Sequence, residues 1–203
     1  MEMVSKPPGK EASRSAEDWE EAALEAFASG GVRAASIPSI ARSLGVTKGS
    51  FYWHFRSLDD LVEAALRRWE DRDRALLEKL GALNDPRQRL LGVFDESMHA
   101  PQAQALFVAL GGSSIPMVTA AIRRVSDRRI RFLAAAYAEL GLGEEEARNR
   151  ALLVYAAYAG LLLLRNEASP LLRSAKNVEA FIKHAVDTLV PAGTPARRRR
   201  KGQ

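Results

Sequence analysis

Apolar residues recur at helical spacing along most of the chain, and no alternating strand pattern of useful length accompanies them. In residues 19–27 they fall at positions i, i+3, i+4, i+7 and i+8, which places them on one face of a helix. The same spacing returns in residues 37–44 and 58–69. Because each such face must be covered by another helix, the pattern predicts an all-α protein.

Capping residues and glycines divide the start of the chain into short helices. Ser15 followed by Asp18 has the spacing of a capping box, and Gly45 interrupts the second helical pattern. Thr47 is a suitable N-cap for a third helix, which we expect to span about two turns over residues 47–54. A short helix, a tight glycine turn and a second short helix are typical of a helix-turn-helix.

The segment "GVTKGSFYWHF", residues 45–55, holds the densest aromatic run in the chain. One interpretation is simple core packing of all its rings. On a helix, however, Phe51 and Phe55 lie four residues apart and can anchor one face, while Lys48, Ser50 and Tyr52 point elsewhere. The segment is therefore interpreted as a helix that packs on one side and offers polar groups on the other.

Charge is distributed unevenly along the chain. The net charge of +5 equals the five bases of residues 197–201, so overall basicity is not evidence for a nucleic-acid partner. Residues 31–56, by contrast, contain four bases and no acid, whereas residues 17–25 contain five acids. A segment without negative charge suits a surface that faces phosphates. Gly49 would let the backbone approach DNA closely, and Tyr52 and His54 can donate to phosphate oxygens.

The stretch "SIPSIARSLGVTKGSFYWHFRSLDDLVEAAL" resembles the DNA-binding domain of the TetR family of transcriptional regulators, over about residues 15–66. The resemblance implies a cytoplasmic, all-helical homodimer that binds double-stranded DNA at a palindromic operator. One position departs from the family: Leu58 stands where a phosphate-binding lysine is common, so that contact is missing or supplied by Arg56. The predicted DNA contacts are Arg42, Thr47, Lys48, Gly49, Ser50, Tyr52, Trp53, His54 and Arg56.

The expected organisation has two folded parts between two tails. Residues 15–62 form a three-helix helix-turn-helix DNA-binding domain, and residues 63–190 form a helical effector-binding and dimerisation domain. Residues 1–14 and the basic residues 191–203 are expected to be disordered. The last two helices mix small and large apolar residues, and in the family such helices form a four-helix dimer interface. The predicted interface residues are Ala156, Gly160, Leu163, Val178, Phe181, Ile182, Ala185 and Leu189.

Two segments, residues 103–117 and 152–164, contain no charged residue. A family-like arrangement would place parts of both, with residues 90–98, around an internal cavity for a small, neutral, apolar effector. The alternative is that these side chains close-pack and leave no cavity. The predicted effector-binding residues are Phe94, Met98, Phe107, Met117, Tyr137, Tyr155, Tyr158 and Arg165.

Three further features have a functional and a plainer interpretation. Asp95 and His99 lie four apart and could hold a metal, but without a third ligand they are better explained as a hydrogen-bonded or solvated pair. The run "RRVSDRRIR", residues 123–131, could bind nucleic acid or form a charged helix face paired locally with Asp127. The basic residues 197–201 could bind DNA nonspecifically or form a solvated tail. We therefore predict no metal site and no cofactor.

Other classes of function are weighed against this interpretation. The chain has no cysteine, only three histidines, and no phosphate-loop or nucleophile motif, all of which disfavour an enzyme on a helical scaffold. The uncharged run of residues 151–164 has 14 residues, against the roughly 20 of a membrane span. The N-terminus lacks the apolar region of a secretory signal, and a cytoplasmic location is expected. A DNA-binding regulator controlled by a protein partner stays open as the alternative to control by a small effector.

Overall fold

The computed structural model describes residues 14–166, 172 and 174–191. Within those residues it contains nine α-helices, a short 3-10 turn at Val32–Ala34 and no strand, which confirms the all-α prediction. Apart from Arg14 and Pro191, the predicted tails lie outside the described residues. The helices are α1 Ala16–Gly30, α2 Ile37–Leu44, α3 Lys48–Phe51, α4 Leu58–Gly81, α5 Pro86–Met98, α6 Pro101–Gly111, α7 Pro116–Glu139, α8 Glu144–Asn166 and α9 Ala175–Leu189.

Serine side chains fix the starts of α1, α2 and α4. Ser15 Oγ accepts a hydrogen bond from the Asp18 amide at 3.2 Å, and Asp18 Oδ2 accepts one from the Ser15 amide at 2.8 Å, so the predicted capping box is confirmed. Ser36 and Ser57 accept amide hydrogen bonds at the starts of α2 and α4 in the same way. These bonds satisfy N–H groups that the first turn of a helix leaves unpaired.

Gly45 makes the turn between α2 and α3. Its φ of 70° lies in the left-handed region, which glycine adopts without the steric penalty of a side chain. The turn delivers Thr47 to the N-cap position of α3, as predicted, although its side chain makes no capping hydrogen bond. Helix α3 therefore begins without a side-chain hydrogen bond at its N-cap.

The third helix is shorter than the expected two turns. Its α-helical part ends at Phe51, and the amides of Tyr52, Trp53 and His54 then donate to carbonyls three residues back at 3.0–3.3 Å. This tighter winding follows because Phe55 returns to the core, where its ring stacks on Phe51 with centroids 5.6 Å apart. The chain from 52 to 54 is thereby held as a bent tip.

A first hydrophobic core joins α1–α4 to α6 and α7. Trp19, Phe27 and Phe51 are completely buried in it. Leu110 of α6 and Val118 of α7 belong to the same cluster. The three short N-terminal helices are therefore stabilised partly by side chains from the C-terminal half of the chain.

A second core lies between the end of α4 and helices α5, α7 and α8. Leu90, Leu133 and Tyr137 are its largest fully buried side chains. Helix α4 contributes to both cores and runs without a break across the predicted boundary between residues 62 and 63. The boundary itself stays a prediction, since the two halves share one continuous helix.

Buried carboxylates on α4 bind arginines of α7, and we call this group the α4–α7 ion-pair cluster. Arg124 makes a bidentate pair with Glu70, with Nε–Oε2 at 2.9 Å and Nη2–Oε1 at 2.6 Å. Asp73 accepts from Arg128 Nη1 at 2.7 Å and from Arg129 Nε at 2.6 Å. Hydrogen-bonded charges that satisfy one another in this way can be held away from water.

This cluster corrects the expectation for residues 123–131. Their arginines were expected to pair locally with Asp127, but Arg124, Arg128 and Arg129 instead reach across to α4. The physical reason is that α4 presents carboxylates that are almost inaccessible to water and need partners. These three arginines are therefore engaged within the protein.

Within the described residues, every helix falls short of the combined length and hydropathy that a bilayer crossing requires.

Candidate nucleic-acid interface and effector cleft

Two phenylalanines anchor α3 and its tip to the first core. Phe51 is 0% exposed and Phe55 is 9% exposed. The Phe51 ring meets Trp19 of α1 edge to face, with centroids 5.3 Å apart. Aromatic contacts of this geometry add to the stabilisation that burial provides. The predicted anchoring role of both phenylalanines is confirmed.

The side chains between the two anchors face solvent. Trp53 is 87% exposed and Tyr52 is 57% exposed, and Lys48 and His54 are exposed as well. Two adjacent large aromatic rings on the surface form an exposed apolar patch of the kind that marks a contact region. We call the surface made by Lys48, Tyr52, Trp53 and His54 the α3 face.

Positive charge accompanies the α3 face. Arg42 on α2, Lys48 and Arg56 are exposed, and within the described part of the chain none of them forms an ion pair. Three acids of α1, in contrast, lie within ion-pair distance of Arg68 of α4, as when Arg68 Nε lies 3.3 Å from Glu21 Oε2. Cations without internal partners next to an α3 face that carries no acid favour an anionic ligand.

Three small residues at the start of α3 differ in what they can offer. Ser50 Oγ donates to the Thr47 carbonyl at 2.9 Å, so its lone pairs rather than its proton are available to a ligand. The Thr47 side chain is exposed and makes no capping bond. At Gly49 an added Cβ would lie 3.7 Å from Thr47 Oγ1, an ordinary contact, so packing within the protein does not require glycine there.

Leu58 belongs to the core rather than to the charged surface. It is half-buried and packs against the first hydrophobic cluster at the start of α4. The backbone amide of Arg56 donates to Asp60 Oδ2 at 3.2 Å, which leaves the Arg56 guanidinium exposed beside it. Arg56 is thus the nearby cation that could replace a lysine at position 58.

In the C-terminal half, a cleft of about 870 Å³ opens between α5 and α9. We call it the α5–α9 cleft. Three of the predicted effector residues, Phe94, Met98 and Arg165, line it. Sequence reasoning missed Val178 and Ile182 as cleft residues, because it assigned them to the dimer interface. A volume of this order suits a drug-sized molecule.

The other predicted effector residues do not line the cleft. Phe107 packs against Tyr155 and Tyr158, with ring centroids 6.2 and 5.9 Å away. Met117 packs against the first core. Tyr137 is completely buried in the second core, where its hydroxyl donates to the Leu189 carbonyl and burial raises its pKa to about 12. These residues therefore do not surround the single internal cavity that was expected.

The empty space beside Tyr155 and Tyr158 is very small. A void of about 20 Å³ is lined by Phe94, Tyr155 and Tyr158, among others, and a second of about 20 Å³ lies by Met98 and Tyr158. Each has room for about one water molecule. The close-packed alternative thus holds in the interior, while the open space lies in the cleft outside it.

Charged groups line the cleft together with its apolar wall. His99 Nδ1 lies 2.9 Å from the Asp95 carbonyl oxygen, its hydrogen-bond partner, and 3.1 Å from Asp95 Oδ1, so these two residues form the pair that was the plainer interpretation. Among the described residues, no group of three His, Cys, Asp or Glu side chains is placed to hold a metal ion. Arg165 also lines the cleft, and its Nη1 donates to Gln104 Oε1 at 3.0 Å.

An apolar stripe on α8 is left uncovered. Leu163 is 53% exposed, Ala156 is exposed, and a Cβ added at Gly160 would meet nothing within 4 Å. Leu152, Ala156, Gly160 and Leu164 recur every four residues, and this spacing could have identified the rest of the surface. The α8 stripe consists of Leu152, Leu153, Ala156, Gly160, Leu163 and Leu164.

Helix α9 turns most of its predicted interface inward. Ala185 is buried within the protomer, so its assignment to a dimer interface was wrong. Val178 and Ile182 line the cleft, and Leu189 packs against the second core. Phe181 is 39% exposed and stays available to a second subunit. The reason is that the most apolar side of α9 covers its own protomer.

The sequence of residues 21–65 matches the family model described as "Bacterial regulatory proteins, tetR family". A solved TetR transcriptional regulator from Legionella pneumophila superposes with a TM-score of 0.76, covering 89% of this chain and 100% of that one at 18% identity. Residues 21–65 therefore carry the sequence of the TetR family, and the fold resembles that of a solved TetR regulator. The resemblance drawn from residues 15–66 is thereby confirmed.

Curated relatives are similar to part of this chain. The regulator SrpR of Pseudomonas putida is 46% identical over 46 residues, 23% of this chain and 22% of its own length. The repressor KstR2 of Mycolicibacterium smegmatis is 34% identical over 102 residues, 48% of each chain. The regulator BetI of Escherichia coli is 34% identical over 119 residues, 54% of this chain and 60% of its own. The chain thus spans less than two thirds of the length of each.

A further solved TetR-like structure covers nearly the whole fold. The transcriptional regulator FadR of Bacillus subtilis, solved in complex with stearoyl-CoA, has a TM-score of 0.61 at 16% identity and covers 89% of this chain and 100% of that one. At such identity the similarity establishes the fold alone. The TetR fold therefore extends well beyond the residues that the family model matches.

Proposed function

We propose that this protein is a transcriptional regulator of the TetR family that binds double-stranded DNA through the α3 face. The observation that carries the proposal is the contrast within one short segment: Phe51 is fully buried while Trp53 is 87% exposed. A rigidly anchored helix with an exposed, acid-free polar side suits insertion into the major groove. Its curated relatives are named as regulators, and we propose a regulator rather than an enzyme.

The residues of the α3 face, together with the neighbouring Ser50, divide into two roles. Lys48 and Ser50, at the start of α3, read base edges, because the N-terminal residues of a recognition helix lie deepest in the groove. Tyr52 and His54, at the tip, bind phosphate oxygens. Trp53 lies against the DNA beside them. Thr47, Gly49, Arg42 and Arg56 complete the contact through a hydroxyl, a close backbone approach and two guanidinium groups.

The regulator acts as a homodimer on a palindromic operator. The α8 stripe, with Phe181 of α9, supplies an apolar surface that a second copy of the chain would cover. Two recognition helices must lie about 34 Å apart to enter successive major grooves on one side of the duplex. Dimerisation through α8 and α9 therefore sets the spacing on which operator affinity depends.

A small hydrophobic effector releases the operator by binding in the α5–α9 cleft. Phe94, Met98 and Ile182 supply an apolar wall there, and methionine adapts to ligands of varied shape. An effector that binds the wider-spaced conformation more tightly shifts the population away from DNA. Action as a repressor in the cytoplasm is part of this proposal.

Selection of bound sequences from random duplexes tests the DNA-binding proposal. The full chain should enrich a two-fold symmetric sequence, and the triple variant Lys48→Ala, Tyr52→Ala and His54→Ala should not. Lys79→Ala is the matched control, since it removes an exposed lysine from the far end of α4, where it binds Glu96 at 2.8 Å. Enrichment of the same sequence by the triple variant would show that another surface binds DNA.

A second test addresses the dimer. Leu163→Glu places a charge on the α8 stripe at a side chain that is already 53% exposed, so the protomer should still fold. Sedimentation should then report a monomer, with operator binding strongly reduced. Ala138→Glu, at an exposed position of α7, is the control and should stay dimeric. A monomeric Leu163→Glu protein with native operator affinity would exclude this interface.

A further inference from the structure

Arg129 of α7 touches two parts of the molecule that the proposed function requires to communicate. On one side, its Nε donates to Oδ1 of Asp73 on α4 at 2.6 Å. On the other side, it lines the void of about 20 Å³ whose wall includes Phe94 and Tyr158. Because Phe94 also lines the α5–α9 cleft, one guanidinium lies between the cleft wall and α4.

On the α4 side, Asp73 leaves the guanidinium of Arg129 little freedom to move. Its side chain is 2% exposed, and its two oxygens accept from Arg129 and from Arg128. A carboxylate this deeply buried must keep its hydrogen bonds, since an unpaired buried charge is costly. Helix α4 starts in the core that holds α1–α3 and ends in the second core. A shift of the Arg129 head group therefore either carries α4 with it or breaks the pair.

On the cleft side, the space beside Arg129 is too small to absorb a ligand. The void holds about one water at most. The Tyr158 hydroxyl interacts with the Arg129 guanidinium and with Ser97, and burial is the main cause that raises the pKa of Tyr158. A molecule that enters the cleft and presses past Phe94 must move Phe94 or Tyr158 against Arg129.

We propose that Arg129 is a positioning residue that links occupancy of the α5–α9 cleft to the position of α4. The inference rests on the proposed effector function and assigns the residue that transmits its signal. Arg128 supplies the natural comparison. It binds the same carboxylate at 2.7 Å, but it is not among the residues that line the void. Both arginines hold α4, and Arg129 alone of the two also meets the cleft side.

The test fills the cleft with a group of known position. The chain has no cysteine, so Met98→Cys on the cleft wall gives one attachment point for N-phenylmaleimide, an apolar group. Operator affinity is measured by fluorescence anisotropy, with and without the label, on the full chain carrying Met98→Cys alone, with Arg128→Gln, or with Arg129→Gln. The operator is the duplex recovered by selection with the native protein.

Labelling should weaken operator binding by about fivefold or more in the Met98→Cys protein and in its Arg128→Gln form. In the Arg129→Gln form, labelling should change operator affinity by less than about twofold. A change that small would mean that the cleft and the DNA-binding surface are hardly coupled. Thermal unfolding should show similar losses for the two glutamine variants, since each removes one cation from Asp73. A merely structural role would move stability and leave the ratio of labelled to unlabelled affinity unchanged.

Two results would overturn the assignment: full coupling retained in Arg129→Gln, or coupling lost equally in Arg128→Gln. A label that binds Met98→Cys but leaves operator affinity unchanged would remove the effector part of the proposed function, and the role of Arg129 with it. Failure to select any operator would instead count against DNA binding itself. Each failure is therefore recognised by a different measurement.

Discussion

At the α3 end, the completely buried Phe51 is followed directly by Tyr52, which is 57% exposed. At the α4–α7 contact, Asp73 and Arg129 lie far apart in sequence, yet they are joined by a 2.6 Å hydrogen bond away from water. The first arrangement follows from the winding of a single short segment. The second exists only when two long helices pack. Local spacing therefore determines the proposed DNA surface, and tertiary packing determines the α4–α7 ion-pair cluster behind it.

This difference suggests how the two regions share one task. The α3 face needs fixed geometry, and close-packed aromatic rings with preferred contact angles provide it. The α4–α7 ion-pair cluster needs to specify one position of α4 relative to α7, and directional charged hydrogen bonds do so. A few of those bonds can change partners together, which a packed aromatic core does not readily allow.

The largest expected effect comes from removing the aromatic anchor. Phe51→Ala should cost about 3–5 kcal/mol of stability, because it empties a fully buried site between Trp19 and Phe55. Tyr52→Ala, one residue away and exposed, should change stability by less than about 1 kcal/mol. Urea unfolding checks both. Equal costs for the two variants would contradict the division of this segment into an anchor and a face.

In the α4–α7 ion-pair cluster, Asp73→Ala should cost about 3–5 kcal/mol of stability, since it leaves Arg128 and Arg129 without their buried partner. Asp71→Ala is the control on the same helix. Asp71 pairs with Arg74 at 2.5 Å, but both side chains are more than half exposed, so its loss should cost only about 0–1 kcal/mol. If the denaturant midpoints of Asp73→Ala and Asp71→Ala fell equally, burial of Asp73 would add nothing to its contribution to stability.

The second core should respond to alkaline pH. Burial raises the pKa of Tyr137 to about 12, whereas an exposed phenol in the unfolded chain ionises near pH 10. Between those values the unfolded state binds fewer protons, so stability falls as pH rises. The contribution is fully present below about pH 10, and roughly 2–3 kcal/mol is lost by about pH 12.

Tyr137→Phe isolates this effect. The variant should lose about 1 kcal/mol at neutral pH, because the hydrogen bond to the Leu189 carbonyl is removed. It should then show a shallower decline of stability than the native protein above about pH 10. Urea titrations at several alkaline pH values compare the two slopes. Parallel slopes would indicate that the Tyr137 hydroxyl is not protected in the folded state.

The smallest effects separate the roles within the α3 face. Lys48→Ala should change base preference at one or two operator positions by about 1–3 kcal/mol. Tyr52→Phe should weaken binding to all sequences alike, since it removes a phosphate donor only. Competition among operator variants measures both. A changed sequence preference in Tyr52→Phe would mean that the orientation of the α3 tip in the groove is wrongly assigned.

The N-terminal part of the fold could be predicted from the sequence because its signals are local. Ser15 and Asp18 cap α1 as their spacing indicates, and Phe51 and Phe55 are buried as their separation by four residues indicates. The length of α3 could not be predicted, because the return of Phe55 to the core tightens the chain after Phe51. Helix propensity alone does not contain that constraint.

The C-terminal half was less predictable because one-dimensional patterns do not say which helix covers a face. The apolar stripe of α9 was assigned to a partner subunit, yet Ala185 is buried in its own protomer. Tyr137 was assigned to a ligand cavity, yet it completes the second core. The α4–α7 ion-pair cluster joins residues 55 and 56 positions apart in the case of Asp73, beyond any local pattern.

Binding of DNA through the α3 face is the proposal on which the others depend. A crystal structure of the full chain bound to its selected duplex tests it most directly. We expect α3 in the major groove, with Lys48 at base edges and Tyr52 and His54 at phosphates on either side of the exposed Trp53. A complex in which the α3 face lies in solvent while another surface contacts the duplex would contradict it.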